Sequence, residues 1–218
     1  MPYTGNVTAG GAADVREVPG LVITKLSVGP MDNNAYFLRC PVTGETLLVD
    51  AADEPERLLA ELGSRPLVRI VTTHQHRDHW QALPAVVSAT GAPIAAHPLD
   101  APGLPVPVAE LVGDGSTVTV GMVRLSIIHL EGHTPGGIAV LYEGDPERPH
   151  LFTGDSLFPG GPGNTWGDPE RFARLMDDLE RKVFGPLPDE TWVYPGHGRD
   201  TTLGAERPSL PEWRARGW

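Results

Sequence analysis

With 218 residues, 40% of them hydrophobic and 21% charged, the chain has the size and composition of one globular domain. A formal net charge of −11 excludes the basic face that a nucleic-acid backbone or an anionic membrane surface requires. A single cysteine, Cys40, excludes an internal disulfide, and no stretch of about 18 apolar residues and no apolar leader is present, so the expected location is cytoplasmic.

Residues 1–20 are small and polar and read as a flexible arm; residues 21–218 read as a single domain. Leu21–Leu26, Ala35–Leu38 and Thr46–Val49 are strand-like, the last ending at Asp50. Glu54–Leu62 has helical spacing, with Leu58, Leu59 and Leu62 on one side. Leu67–Val71 is a short buried strand that runs into His74, and Trp80–Ala89 follows as a helix with Pro84 near its start. Pro93–Ala96 is a strand, and the proline-rich stretch Ala101–Pro107 a loop. Ser116–Val120 and Val123–His129 form a hairpin turning at Gly121. Ile138–Tyr142, His150–Thr153 and Thr191–Tyr194 are further strands, and Pro169–Val183 an amphipathic helix with Phe172, Leu175, Met176 and Leu179 on its apolar side. Strands and helices in each half predict two sheets with helices outside them.

The informative run is His74-Gln75-His76-Arg77-Asp78-His79, followed at a distance by His133, Asp155 and His197, each in a glycine-containing segment. Five imidazoles and two carboxylates suffice for two metal ions, and nitrogen and oxygen ligands suit Zn, Fe, Mn or Co. Each distant ligand follows an apolar run: Ile127-Ile128-His129-Leu130, Leu151-Phe152 and Trp192-Val193-Tyr194. Ligands at strand ends, delivered to one edge of a sheet, make a site on a rigid scaffold.

Four segments carry a resemblance to the metallo-β-lactamase-fold hydrolases: His74-x-His76-x-Asp78-His79, Gly132-His133-Thr134-Pro135-Gly136, Thr153-Gly154-Asp155 and Pro195-Gly196-His197-Gly198. Asp32-Asn33-Asn34-Ala35-Tyr36 also resembles an early strand segment of that family. The resemblance covers roughly residues 21–206 and is nearest to the glyoxalase II-like branch. It implies an α/β fold, a four-layer αββα sandwich with metals at one edge of two mixed sheets. It also implies that His74, His76 and His133 bind one metal, that Asp78, His79 and His197 bind a second, and that Asp155 bridges both. The implied cofactors are two divalent ions, Zn first, with Fe or Mn as alternatives. Two departures matter. Cys40 lies far from every motif, so the cysteine ligand of the common zinc β-lactamases is not available and antibiotic hydrolysis is not the expected activity. Asn164 stands where relatives often place an arginine, and only 21 residues follow His197. The glutathione-holding helical extension of full-length members is therefore expected to be missing.

The expected chemistry is hydrolysis of a small thioester or ester by a metal-bound hydroxide, with Asp78 and Asp155 as the catalytic carboxylates. Two divalent ions outweigh two carboxylates, so the pocket favours a small anionic substrate. No general acid stands out, and a thiolate of pKa about 8.5 needs none to leave. Tyr36, Asn164 and Trp166 are candidates for substrate contact, and Asp50 for orienting a ligand histidine or capping a helix. His97 and His129 read as structural, and His150 as a solvated turn residue. The alternatives are an iron persulfide dioxygenase, using positions equivalent to His74, His133 and Asp155, and a non-catalytic metal-binding domain.

Overall fold

The computed structural model describes residues 3–217. The first half lays down β1 (Asp14–Val18), β2 (Leu21–Val28), β3 (Asn33–Arg39), β4 (Thr46–Val49), α1 (Pro55–Leu62), β5 (Leu67–Val71), α2 (Leu83–Thr90), β6 (Ile94–Ala96) and β7 (Glu110–Leu111). Its strands make one sheet in sequence order, antiparallel from β1 to β4 and parallel from β4 to β7. The second half adds β8 (Thr117–Val120), β9 (Val123–His129), β10 (Ile138–Tyr142), β11 (His150–Gly154), β12 (Leu157–Phe158), β13 (Gly161–Pro162), α3 (Pro169–Asp178), β14 (Trp192–Pro195), β15 (Thr201–Thr202), α4 (Leu203–Glu206) and α5 (Leu210–Arg216). Six of these strands form the second sheet, in the order β15-β14-β11-β10-β9-β8, and β12 pairs with β13 alone.

Period-two alternation sorts side chains between faces. On β2, Leu21 and Ile23 face the core between the sheets, while Leu26 and Val28 face the outer layer. Tyr36, Leu38, Val71 and Ala95 from the first sheet meet Val118, Leu125, Ile127, Val140, Phe152 and Tyr194 from the second. The outer face of the first sheet is covered by Leu58 and Leu62 of α1 and Leu83 and Val86 of α2. Phe172, Leu175 and Met176 of α3 and Trp213 of α5 cover the second. Four layers result, helix–sheet–sheet–helix, as the motifs imply. Leu58 has no exposed surface; truncating such a residue to alanine costs about 2–5 kcal/mol.

Several sequence expectations need correction. The stretch read as a flexible arm contains β1, which pairs with β2 from Asp14 opposite Lys25 to Val18 opposite Leu21. Met1 and Pro2 of that arm, and Trp218 at the other end, lie outside the described residues. The helix expected over Trp80–Ala89 begins only at Leu83, because Pro84 must sit in the first turn. The preceding Arg77–His79 is instead a single tight turn, held by Trp80 Nε1 donating to Gln75 O at 2.8 Å. The helix α3 stops at Asp178 and widens into a π turn over Leu179–Phe184. His150, read as solvated, is fully buried on β11, between the Tyr194 hydroxyl at 2.9 Å and Asp145 Oδ2 at 3.0 Å.

Candidate metal centre

The C-terminal ends of β5 and β11, the chain just past β9 and the end of β14 open onto one edge of the sandwich. From them come His74, Asp155, His133 and His197 in turn. The tight turn after His74 swings His76, Asp78 and His79 to the same place. Three groups bring their ligand atoms within 4.8 Å of one another: His74, His76 and His133; His74, His79 and Asp155; Asp78, His79 and His197. Asp155 stands between the clusters. Its Oδ1 lies 3.3 Å from His79 Nε2, and its Oδ2 lies 3.5 Å from His133 Nε2 and 3.4 Å from His197 Nε2. Asp78 Oδ2 lies 3.3 Å from His197 Nε2 and 3.5 Å from His79 Nε2.

The far nitrogens of three imidazoles are tied back. His79 Nδ1 donates to Asp50 Oδ2 at 2.8 Å, His133 Nδ1 to Asn164 O at 2.8 Å and His197 Nδ1 to Met31 O at 2.9 Å. Each bond holds the proton on Nδ1, so that Nε2 faces the centre and presents its lone pair there once deprotonated, as metal binding requires. Glycine permits the close approach of backbone to these groups. A Cβ at Gly196 would collide with Asp155 Oδ1, and one at Gly163 with the Asp155 carbonyl.

Electrostatics divide the histidines. Burial drives His74 well below the usual imidazole range and His133 down to about 4, although Asp155 opposes both shifts. Burial would also lower His79 and His197, but the carboxylates win. Asp155 and Asp50 raise His79 well above its ordinary value, and Asp155 and Asp78 bring His197 to about 9. Burial disfavours the Asp155 anion, yet His79 and His197 hold its carboxyl well below the usual range. Two anionic carboxylates at 11% and 19% side-chain exposure thus demand cationic partners. Among the described residues, His74 Nε2 and Asp155 Oδ1 are buried without any hydrogen-bond partner. An unpaired buried polar atom costs about 1–3 kcal/mol. A divalent cation satisfies both, and the imidazole and carboxylate donors match Zn, Fe or Mn chemistry.

All seven residues singled out as ligands converge here. Of the substrate-contact candidates, Tyr36 is corrected: it is 2% exposed, packs on Phe152 and Tyr194, and donates its hydroxyl to Pro195 O at 2.6 Å. Trp166 is 53% exposed and lies over His133, ring centroids 5.1 Å apart at 30°. Its backbone has φ 56, a left-handed conformation sustained by Asn164 Oδ1 accepting from Trp166 N at 2.7 Å. Asp50 orients His79 and also accepts from Thr73 N and Thr73 Oγ1, both at 2.7 Å; it caps no helix. His129 stands outside the cluster, stacked on His97 at 4.0 Å and donating to Pro135 O.

Three further residues complete the frame. Asn33 Nδ2 donates to Asp78 Oδ2 at 2.9 Å. Asp100, 1% exposed, accepts from Gln75 N, Thr134 Oγ1 and Gly136 N, joining the two halves beside the site. Arg171 donates to the carbonyls of Gly132 and His133, and its guanidinium lies 4.6 Å from the Trp166 ring centre. The hydrogen-bond partners of these side chains are 25 or more residues away, so only the Asp32-Asn33-Asn34 segment offered any signal. Beside His76 opens a cavity of about 530 Å³ lined by Gln75, Glu131, Thr134, Trp166, Arg171 and Arg174.

The chain is similar to a hydroxyacylglutathione hydrolase of Polaromonas sp., 37% identical over 170 residues, which are 76% of this chain and 62% of that protein. It thus spans less than two thirds of the length of that relative. Among solved structures it is similar to TTHA1623 in a di-iron-bound form, at 34% identity and TM-score 0.71, covering 86% of this chain and 98% of that one. It is also similar to ETHE1 from Myxococcus xanthus, at 29% identity and TM-score 0.75, covering 88% and 84%. The sequence profile of the metallo-beta-lactamase superfamily matches residues 28–197, and the chain belongs to that superfamily.

Proposed function

We propose that the protein is a binuclear metal-dependent hydrolase of a small, anionic thioester or ester. In this reading His74, His76 and His133 hold one ion, Asp78, His79 and His197 hold the other, and Asp155 bridges them. The observation that carries it is the position of the Asp155 carboxylate, which faces His79 with one oxygen and His133 and His197 with the other. When bound, two divalent ions supply Lewis acidity and lower the pKa of a water from about 15.7 to about 7.

The chain's own residues do the rest. Asp50, Asn164 and Met31 keep the Nε2 atoms of His79, His133 and His197 aimed inward. Asn33 engages Oδ2 of Asp78, which would leave Oδ1 available to accept a proton from an attacking water. Trp166 roofs His133 and forms a wall of the cavity, screening the reacting carbonyl from bulk water. Arg171 and Arg174 on α3 give that cavity a cationic wall against a single carboxylate, Glu131, which supports an anionic substrate. Glu131 is committed to Arg174 at 2.8 Å, so the cavity offers no free general acid. That favours leaving groups such as thiolates, with pKa near 8.5, over amines. The hydroxyacylglutathione hydrolases among the relatives support the thioester, and TTHA1623 in its di-iron form supports two ions.

The test measures kcat/KM for one acyl group on glutathione, on a simpler thiol and on a phenol, against the matching amide. Hydrolysis of the thioesters with the amide inert is expected. Oxygen consumption with a persulfide and no ester hydrolysis would transfer the protein to the second reading, an iron-dependent persulfide dioxygenase, which the likeness to ETHE1 favours. Elemental analysis with electron paramagnetic resonance identifies the metal in either case.

A further inference from the structure

Lys25 lies on β2 with no exposed side-chain surface, in a strand whose other residues are aliphatic apart from Thr24 and Ser27. Its ammonium points into the layer between the two sheets, 5.9 Å from the Tyr36 ring centre. All three of its donors are used: Gly5 O at 2.7 Å, Gly198 O at 2.7 Å and Asp200 Oδ1 at 2.6 Å. The other oxygen of Asp200, itself 1% exposed, accepts from the Tyr3 hydroxyl at 2.7 Å and Trp192 Nε1 at 2.8 Å. Gly198 and Asp200 follow His197 by one and three residues.

The neighbouring carbonyls are held from the same side. Asn34 Nδ2 donates to Pro195 O and Gly198 O, both at 2.9 Å, and Asn34 N donates to Gly196 O at 2.7 Å. The carbonyls of Pro195, Gly196 and Gly198 therefore all have fixed donors around His197, and the ammonium is the one charged donor among them. A buried ion pair is weak evidence for stability, because two charges must be desolvated to make it. Burial in fact pulls the Lys25 ammonium below its ordinary value, and Asp200 opposes that most strongly, with Asp32 and Asp14 behind it. A hydrophobic pair of the same volume would fill the layer but would leave the Gly198 carbonyl one donor short.

We propose that the Lys25–Asp200 pair is a positioning element that sets the His197 segment, and so controls occupancy of the second metal position. This rests on the two-ion reading above. The pair touches Gly198, one residue from His197, and no ligand of the first position. His74 and His133 are held by separate contacts, Thr73 for the first and the Arg171 bonds to Gly132 and His133 and the Asn164 carbonyl for the second, and His76 lies against His133.

The experiment is a cobalt(II) titration of the whole chain against a competing chelator, with the melting temperature recorded for each variant. Lys25→Met/Asp200→Asn removes both charges together, so neither is left buried alone. Asp200→Asn is nearly isosteric and keeps an acceptor for Lys25 but leaves the ammonium without its anionic partner, so it is read against its own melting temperature should the double variant not fold. Leu58→Ala, in the outer core away from the site, matches the loss of stability without touching the brace. In the double variant the first cobalt is expected to bind within about threefold of the wild-type affinity and the second at least about tenfold more weakly. Asp200→Asn should weaken the second cobalt alone, and Leu58→Ala should change neither affinity. A second site unchanged in the double variant, or both sites lost in parallel with stability, overturns the positioning role while leaving the two-ion reading standing. A wild-type plateau at one equivalent, with His197→Ala unchanged, overturns both.

Discussion

The Asp50 carboxylate decides which nitrogen of His79 carries the proton, and Asp50→Asn tests that at nearly constant volume. The aspartate is 2% exposed; one oxygen accepts from Thr73 N, the other from Thr73 Oγ1 and from His79 Nδ1 at 2.8 Å. In the variant, the amide oxygen keeps the Thr73 backbone donor, so the amide NH₂ faces the imidazole. Two donors then oppose each other. His79 relieves the clash by moving its proton to Nε2, the atom that lies 3.2 Å from His197 Nε2 and 3.3 Å from Asp155 Oδ1. A protonated Nε2 cannot ligate. Losing such an outer partner costs about 10- to 100-fold in metal affinity, which is about 1.4–2.7 kcal/mol. The deficit falls mainly on the position shared with Asp78 and His197: His133 takes its orientation from Asn164, and His74 meets Asp50 only through the Thr73 hydroxyl, so the first position is weakened less. Zinc titration with a competing chelator reads the two affinities separately. Equal weakening of both, or no change in either beyond about threefold, would refute the tautomer argument.

Three further outcomes follow from the same geometry. Asp155→Ala should lose metal and activity together, whereas His129→Ala, costing about one hydrogen bond or 0.5–1.5 kcal/mol of stability, should keep full metal content; equal damage in elemental analysis means the ligand set is misassigned. Trp166→Ala should raise KM on the order of tenfold, the cost of an aromatic wall, with metal content unchanged; a normal KM removes Trp166 from the substrate pocket. Burial keeps the His150 imidazole below its ordinary value although Asp145 opposes it. The unfolded chain therefore binds the extra proton first, and stability falls as pH drops below about 6.5. His150→Gln should flatten that limb of the urea midpoint between about pH 6.5 and 5, and an unchanged slope refutes it.

The sandwich and the ligands were legible because their signals are local or periodic. The apolar runs before His74, His133, Asp155 and His197 each mark a strand that ends at the site. What stayed hidden depends on contacts across the two halves. Asp100 joins Gln75 to Thr134 and Gly136, and nothing around it in the sequence suggests so. Asp14–Val18 has too few apolar residues to read as a strand, yet its ladder with β2 gives it one. Tyr36 sits in a motif-like segment, so a functional reading suggested itself; its alternation on β3 turns it into the core instead. His150 follows a charged loop, and only the arrival of Tyr194 on β14 buries it.

The split of the ligand set between the two halves gives the centre a mechanical meaning. Among the described residues no strand ladder joins the first sheet to the second, and a single bridge links Asn33 to His197. His76 and His133 face each other across 57 residues of chain, and His79 and His197 across 118. Were such closures covalent, loop entropy would penalise the unfolded chain by about 4 and about 5 kcal/mol. With one cysteine the chain has no internal disulfide to use. Ions held by these ligands would act as reversible staples between the halves, so a chelator would do to this protein what a reducing agent does to a secreted one: lengthen its loops, loosen its seam and open it to proteases.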